Sequence, residues 1–150
     1  MTAPSFLIRI GVMGQFEYFD HTADMGMRAY GKDLAELFTS SALGMFNLIV
    51  PLEEFKAQDA LDVLLEAPSV EELLWKWLRE LHYLFCTQKI IFKEFEFKEL
   101  NEKLVWAACS GEYFDPQKHT SEREVKAVTH HGFQVTKDSE GWIAEVIFDL

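Results

Sequence analysis

The feature that most constrains this chain is a change of apolar period at residue 89. Ahead of it, Val70, Leu73, Leu74, Trp77, Leu78, Leu81, Leu84 and Phe85 recur at helical spacing and form one continuous stripe. Ser69 and Glu72 stand in the positions of a capping box, directly after Pro68. Beyond residue 89, Ile91, Phe95 and Phe97 alternate with charged neighbours, which is the two-residue period of a strand. A stripe this wide has to be buried against a second layer, and a sheet is the surface that fits it.

The remaining elements follow the same logic. Phe16 to Phe19 is a short extended piece, and Met25 to Tyr30 reads as a strand ended by Gly31. Asp33 is placed to cap a helix, with Glu36 in the reciprocal position. Leu34, Leu37, Phe38, Ser41, Met45, Leu48 and Ile49 form that helix's buried face, and Val50-Pro51 stops it. Residues 59–66 (DALDVLLE) read as a strand, with a helix as the alternative. Asn101-Glu102 supplies a turn, and Leu104 to Cys109 returns as a strand. Glu124 to His131 is another candidate strand. Phe133 to Lys137 and Trp142 to Phe148 form a hairpin about residues 138–141. Expected is an α+β fold, with two amphipathic helices packed on a mostly antiparallel sheet in a single layered domain. A doubly wound parallel fold is disfavoured, because the regular βαβ rhythm and a glycine-rich phosphate loop are both absent from the sequence.

A chain of 150 residues is most simply one domain. Thirteen Phe, four Trp and four Tyr provide the bulk for its core. Residues 15–150 are assigned to that domain and 1–14 to an N-terminal extension, to translation starting at Met13, or to an extra edge strand. SFLIRIGV near the N-terminus carries Arg9 and lacks a basic leader, so a signal peptide is not expected. Cys86 and Cys109 lie in apolar contexts and read as buried thiols of a reducing compartment, with a cytoplasmic location. No apolar run reaches the length of a membrane span. The net charge of −11 works against unaided binding of a phosphate backbone. It suits a cation or a basic cleft on another protein, or simply a solvated surface.

Three polar clusters could carry chemistry. Asp20-His21-Thr22-Ala23-Asp24 offers two carboxylates, an imidazole and a hydroxyl, able to ligate a metal, close a turn or move protons. At the other end, strand-like residues run directly into Asp149-Leu150, so a side-chain and an α-carboxylate are adjacent. If strand order brings these beside Asp24, hard oxygen donors converge that suit Ca²⁺, Mg²⁺ or Mn²⁺ and not zinc. The alternative is an ordinary acidic strand end. In the third cluster, a regular strand would put Lys126 and His131 on opposite faces. There Lys126 could snorkel and His131 cap the strand. His82 is expected on the solvated side of its helix, and His119 in a loop. No nucleophile–base pair or common catalytic motif stands out.

Taken in order, DHTADMGMRAYGKDLAELF at 20–38, EELLWKWLRELHYLF at 71–85, GEYFDPQKH at 111–119, VKAVTHHGFQV at 125–135 and GWIAEVIFDL at 141–150 resemble the archease family. The resemblance runs from about residue 15 to the last residue. It implies no enzyme but a protein cofactor of an RtcB-type RNA ligase, which joins RNA ends in tRNA splicing and repair through a guanylylated histidine. The cofactor promotes guanylylation and multiple turnover. The RNA would be met only through the ligase, and no membrane is involved.

By the same resemblance, Asp24, Asp149 and the Leu150 carboxylate correspond to a divalent-metal site, with Ca²⁺ first and Mn²⁺ or Mg²⁺ as alternatives. Lys126 corresponds to a functional lysine, and Asp20, His21 and His131 fall within the characteristic motifs. Where the family usually has an aromatic residue, this chain has His130. Two other classes compete: a metal-dependent phosphoester hydrolase built on Asp24, Asp149 and His21, and a chaperone-like scaffold with a structural metal.

Overall fold

In the computed structural model, residues 6–10, 14–21 and 24–150 are described, with side chains for 15–20 and 24–150. Thr22 and Ala23, and the side chain of His21, lie outside the described residues. The strands are β1 (Phe6–Ile10), β2 (Gly14–His21), β3 (Asp24–Gly31), β4 (Asp59–Glu66), β5 (Ile90–Leu100), β6 (Leu104–Tyr113), β7 (Ala127–Val128), β8 (Gln134–Asp138) and β9 (Gly141–Asp149). The helices are α1 (Leu34–Ile49) and α2 (Val70–Gln88), with a single 3-10 turn at Leu52–Glu54.

Both helix starts are the ones the caps foretell. Asp33 Oδ1 accepts from the Glu36 amide at 2.8 Å, and Ser69 Oγ accepts from the Glu72 amide at 3.3 Å, each satisfying an otherwise orphaned N–H. Residues 59–66 are strand, not helix.

The α+β expectation holds, and every described strand pairing is antiparallel. The strands divide between two sheets, however. One runs β1-β2-β3-β9-β7, with β8 also on β9, and the other runs β4-β6-β5. This division changes the role of α1. It touches β2, β3 and β9 on one side and β5 and α2 on the other, and it is buried around its whole circumference from Leu37 to Phe46. Phe38 and Trp77 lie 5.8 Å apart at its contact with α2, and Trp77 Nε1 donates to the Phe38 carbonyl at 3.0 Å. Gly44 permits the close approach to the larger sheet, since a Cβ there would lie 2.3 Å from the Met27 sulfur. Tyr18 OH donates to the Gly44 carbonyl at 2.6 Å across the same contact.

The expected strand over Glu124 to His131 is reduced to Ala127–Val128. The amide and Oγ1 of Thr129 both reach the Ile147 carbonyl, at 3.0 and 3.1 Å. The chain then turns through His130–Phe133, with Gly132 at φ 69°, before β8 resumes on β9. The bonds of Thr129 to β9 and a left-handed glycine thus interrupt what the residue alternation alone would continue.

Candidate metal and partner site

Register brings the start of β3 against the end of β9. Asp24, first in β3, pairs directly with Asp149, last in β9, and Asp149 pairs on its other side with Ala127 of β7. The Lys126 amide donates to the Asp149 carbonyl at 2.7 Å, so the lysine's backbone is tied to the same rung. His21 is paired with Asp24 from the β2 side. Directly opposed residues project from the same face. Asp24 and Asp149 therefore leave the sheet on the side away from α1, since Phe148 and Val146 of the alternate set are wholly buried.

The other named residues are placed differently. Asp20 pairs with Met25 and is exposed, and it projects from the opposite face to Asp24. Lys126 is exposed just ahead of β7. His131 is exposed on the turn facing the Ile147 stretch of β9, and not on the Asp24–Asp149 rung. Among the described residues no group of three His, Cys, Asp or Glu side chains is positioned to hold a metal. Among the described side chains of this face, the donors at the sheet's end are the Asp24–Asp149 pair, with the Leu150 backbone beyond it.

Two rungs further along the same face, Arg28 lies between two carboxylates. Its Nε donates to Glu145 at 2.8 Å, and its Nη1 is 3.5 Å from Glu17, which also accepts from Tyr30 OH at 2.6 Å. The guanidinium stacks over Phe19, 4.5 Å from its centroid. The Phe19 ring in turn covers Gly26, where a Cβ would stand 2.2 Å from it. A cleft of about 290 Å³ lies at the opposite end of this sheet, lined by Tyr30, Lys32, Glu36, Asp138 and Trp142 among others, away from the acidic rung.

His82 departs from expectation, and His119 lies in a loop as expected but is buried. His82 is not solvated but 8 % exposed, with Nε2 2.7 Å from the Val125 carbonyl. Its place on the helix carried the signal, for Leu78 precedes it by four residues and Phe85 follows by three. His119 is buried and stacked on Phe55 with centroids 3.9 Å apart. Its Nδ1 accepts from the Asp115 amide at 2.9 Å. Beside it, buried Glu112 accepts from Lys118 at 2.6 Å and from the Lys56 amide at 3.0 Å. The Lys118 ammonium above all holds this carboxyl down at about 2. The end of β6 and the loop after it, residues 111–119, are therefore locked by side-chain contacts among themselves and with Phe55 and Lys56. Of the thiols, Cys109 is buried, which raises it to about 12, whereas Cys86 is exposed and not buried as expected.

The class this defines is an all-antiparallel two-sheet α+β domain in which the start of β3 meets the end of β9 in an acidic rung. The comparisons with known proteins make this specific. The family model described as "Archease protein family (MTH1598/TM1083)" matches residues 16–150. The chain is 39 % identical over 140 residues to the protein archease of Methanosarcina barkeri, covering 91 % of this chain and 96 % of that one. It is 35 % identical over 143 residues to that of Pyrococcus furiosus, covering 92 % and 100 %. The solution structure of Methanobacterium thermoautotrophicum protein 1598 superposes with a TM-score of 0.72 at 33 % identity, over 90 % of this chain and 98 % of that one. The chain belongs to the archease family.

Proposed function

We propose that this chain is a non-catalytic protein cofactor of an RtcB-type RNA ligase in the cytoplasm, promoting the ligase's guanylylation and multiple turnover. Its working site is the acidic end of the larger sheet. Asp24, Asp149 and the Leu150 α-carboxylate hold a divalent cation there, Ca²⁺ first and Mn²⁺ or Mg²⁺ as alternatives. Lys126, His131, Asp20 and His21 meet the ligase around it. The observation that carries this reading is the direct pairing of Asp24 with Asp149, in a chain of this family, with the Lys126 backbone bound to the same residue.

The donor set fits the ion. Oxygen donors alone suit a hard cation, and two side chains with one α-carboxylate leave positions for water or for groups of the ligase. A bound cation would supply positive charge between carboxylates that otherwise repel across the ladder. Lys126 projects from a segment held by backbone hydrogen bonds and so offers a cation to the partner at a fixed position. The low basic content fits contact with the ligase more than with its RNA.

Multiple-turnover ligation by the cognate ligase, with and without this protein, tests the reading. More product per ligase molecule is expected with it, and identical yields overturn the proposal. Residues appended after Leu150 are expected to impair metal binding and activation, whereas an N-terminal tag is not.

A further inference from the structure

Along one row of α2, at spacings of four, three and four, stand Glu71, Trp75, Leu78 and His82. Trp75 and His82 bond the backbone of the interrupted edge segment that carries Lys126, and Glu71 bonds β8 just beyond it. Glu71 Oε1 accepts from the Val135 amide at 3.1 Å. Trp75 Nε1 donates to the Val128 carbonyl at 3.3 Å. His82 Nε2 lies 2.7 Å from the Val125 carbonyl, immediately before Lys126. A carbonyl oxygen can only accept, so Nε2 carries the hydrogen and donates it. The ring of His130 also packs on Trp75 with centroids 4.0 Å apart, filling the place of an aromatic residue.

From this geometry we propose that His82, seconded by Trp75, is the positioning residue for Lys126. The edge segment needs such a device, because only Ala127 and Val128 are paired there as regular strand. Two residues of ladder do not fix a backbone against fraying. The bond from His82 to Val125 and the bond from Lys126 to Asp149 grip adjacent residues of the segment from two sides, one from α2 and one from β9. Together they set the direction in which the Lys126 side chain leaves the surface. His82 is almost fully buried, with the Cys86 thiol 3.5 Å from its Nε2 on the outer side, so it holds this residue from beneath the surface and does not itself meet the ligase.

This inference rests on the functional reading of Lys126, and its test separates the two. His82→Leu removes the donor, His82→Gln restores an N–H at a similar reach, and Trp75→Phe keeps the ring but loses its donor. Amide hydrogen exchange on the isolated protein reads the positioning directly. The Lys126 amide should lose about tenfold or more of its protection in H82L and regain most of it in H82Q, while amides of β3 stay unchanged. In the ligation assay, H82L should lose about tenfold or more of the activation, as expected when a working group is displaced by about an ångström, and H82Q should recover it. W75F should give a smaller loss in both measurements. Unchanged Lys126 protection in H82L overturns the positioning. Full activation by H82L, where Lys126→Ala abolishes it, overturns the role in function. Full activation by K126A overturns the functional reading of the lysine itself, while the exchange data still decide what His82 holds.

Discussion

Two rungs of the same face of the same sheet treat negative charge in opposite ways. At the centre, Glu17 and Glu145 flank Arg28, which is further packed on Phe19, so cation and carboxylates satisfy one another. At the end, Asp24 faces Asp149 directly, with no arginine set between them in register. Like charges opposed across a ladder destabilise it, and opposite charges stabilise it, by a few tenths to about 1 kcal/mol. The central rung is built for the fold. The end rung instead sets two carboxylates opposite one another, and this is the pair on which the proposed function rests.

The sharpest way to break this contrast is to neutralise the end rung. Asp24→Asn and Asp149→Asn should each lower divalent-cation affinity and ligase activation by about tenfold or more, by calorimetric titration and multiple-turnover ligation. Their unfolding midpoints in urea should stay level or rise; a clear fall would make the pair structural. Removing the pad between the rungs comes next. Gly26→Ala drives a Cβ into the Phe19 ring and should cost about 1–3 kcal/mol in denaturant unfolding. Phe19→Ala in the same molecule should return part of that loss.

Arg28→Met leaves Glu17 and Glu145 without their cation and should cost about 1–2 kcal/mol, between the values for exposed and buried pairs. Activation by the folded fraction should persist, and its loss would make Arg28 part of the site. The smallest effect belongs to a third setting of carboxylate, Glu112. Its pKa in the folded chain is depressed to about 2, so its stabilising contribution is complete above the ordinary carboxyl range and is lost as pH falls towards 2. Glu112→Gln should flatten the acid limb of a stability–pH profile between about pH 4.5 and 2. An unchanged limb would show that its lysine and amide partners do not favour the ionised form.

Much of the fold was legible because it is written in local chemistry. Ser69 and Asp33 cap their helices by bonds to residues three positions on. The strand at residues 59–66 and the hairpin about 138–141 follow from apolar alternation and turn residues. The failures share one cause. The segment from Glu124 to His131 alternates like a strand, but Thr129 and Gly132 divert it through bonds to β9 that no local pattern encodes. His82 reads as a polar-side residue until Val125 arrives above it, and the burial of His119 in its loop comes from Phe55, distant in sequence, stacking on its ring. The helix α1 reads as one-sided because its sequence does not say that a second sheet will cover its other side.

The sequence by itself determined the helices, their caps, most strands, the family and the identity of the acidic residues worth watching. Periodicity, capping and turn chemistry act within a few residues, so they survive in a linear text. Only the tertiary structure decided that Asp24 meets Asp149, that Asp20 turns to the other face, and that α2 grips the segment bearing Lys126. Those facts depend on strand order and register. Both are set by how whole apolar faces are buried, and a shift of one residue would send every one of these side chains to the opposite side.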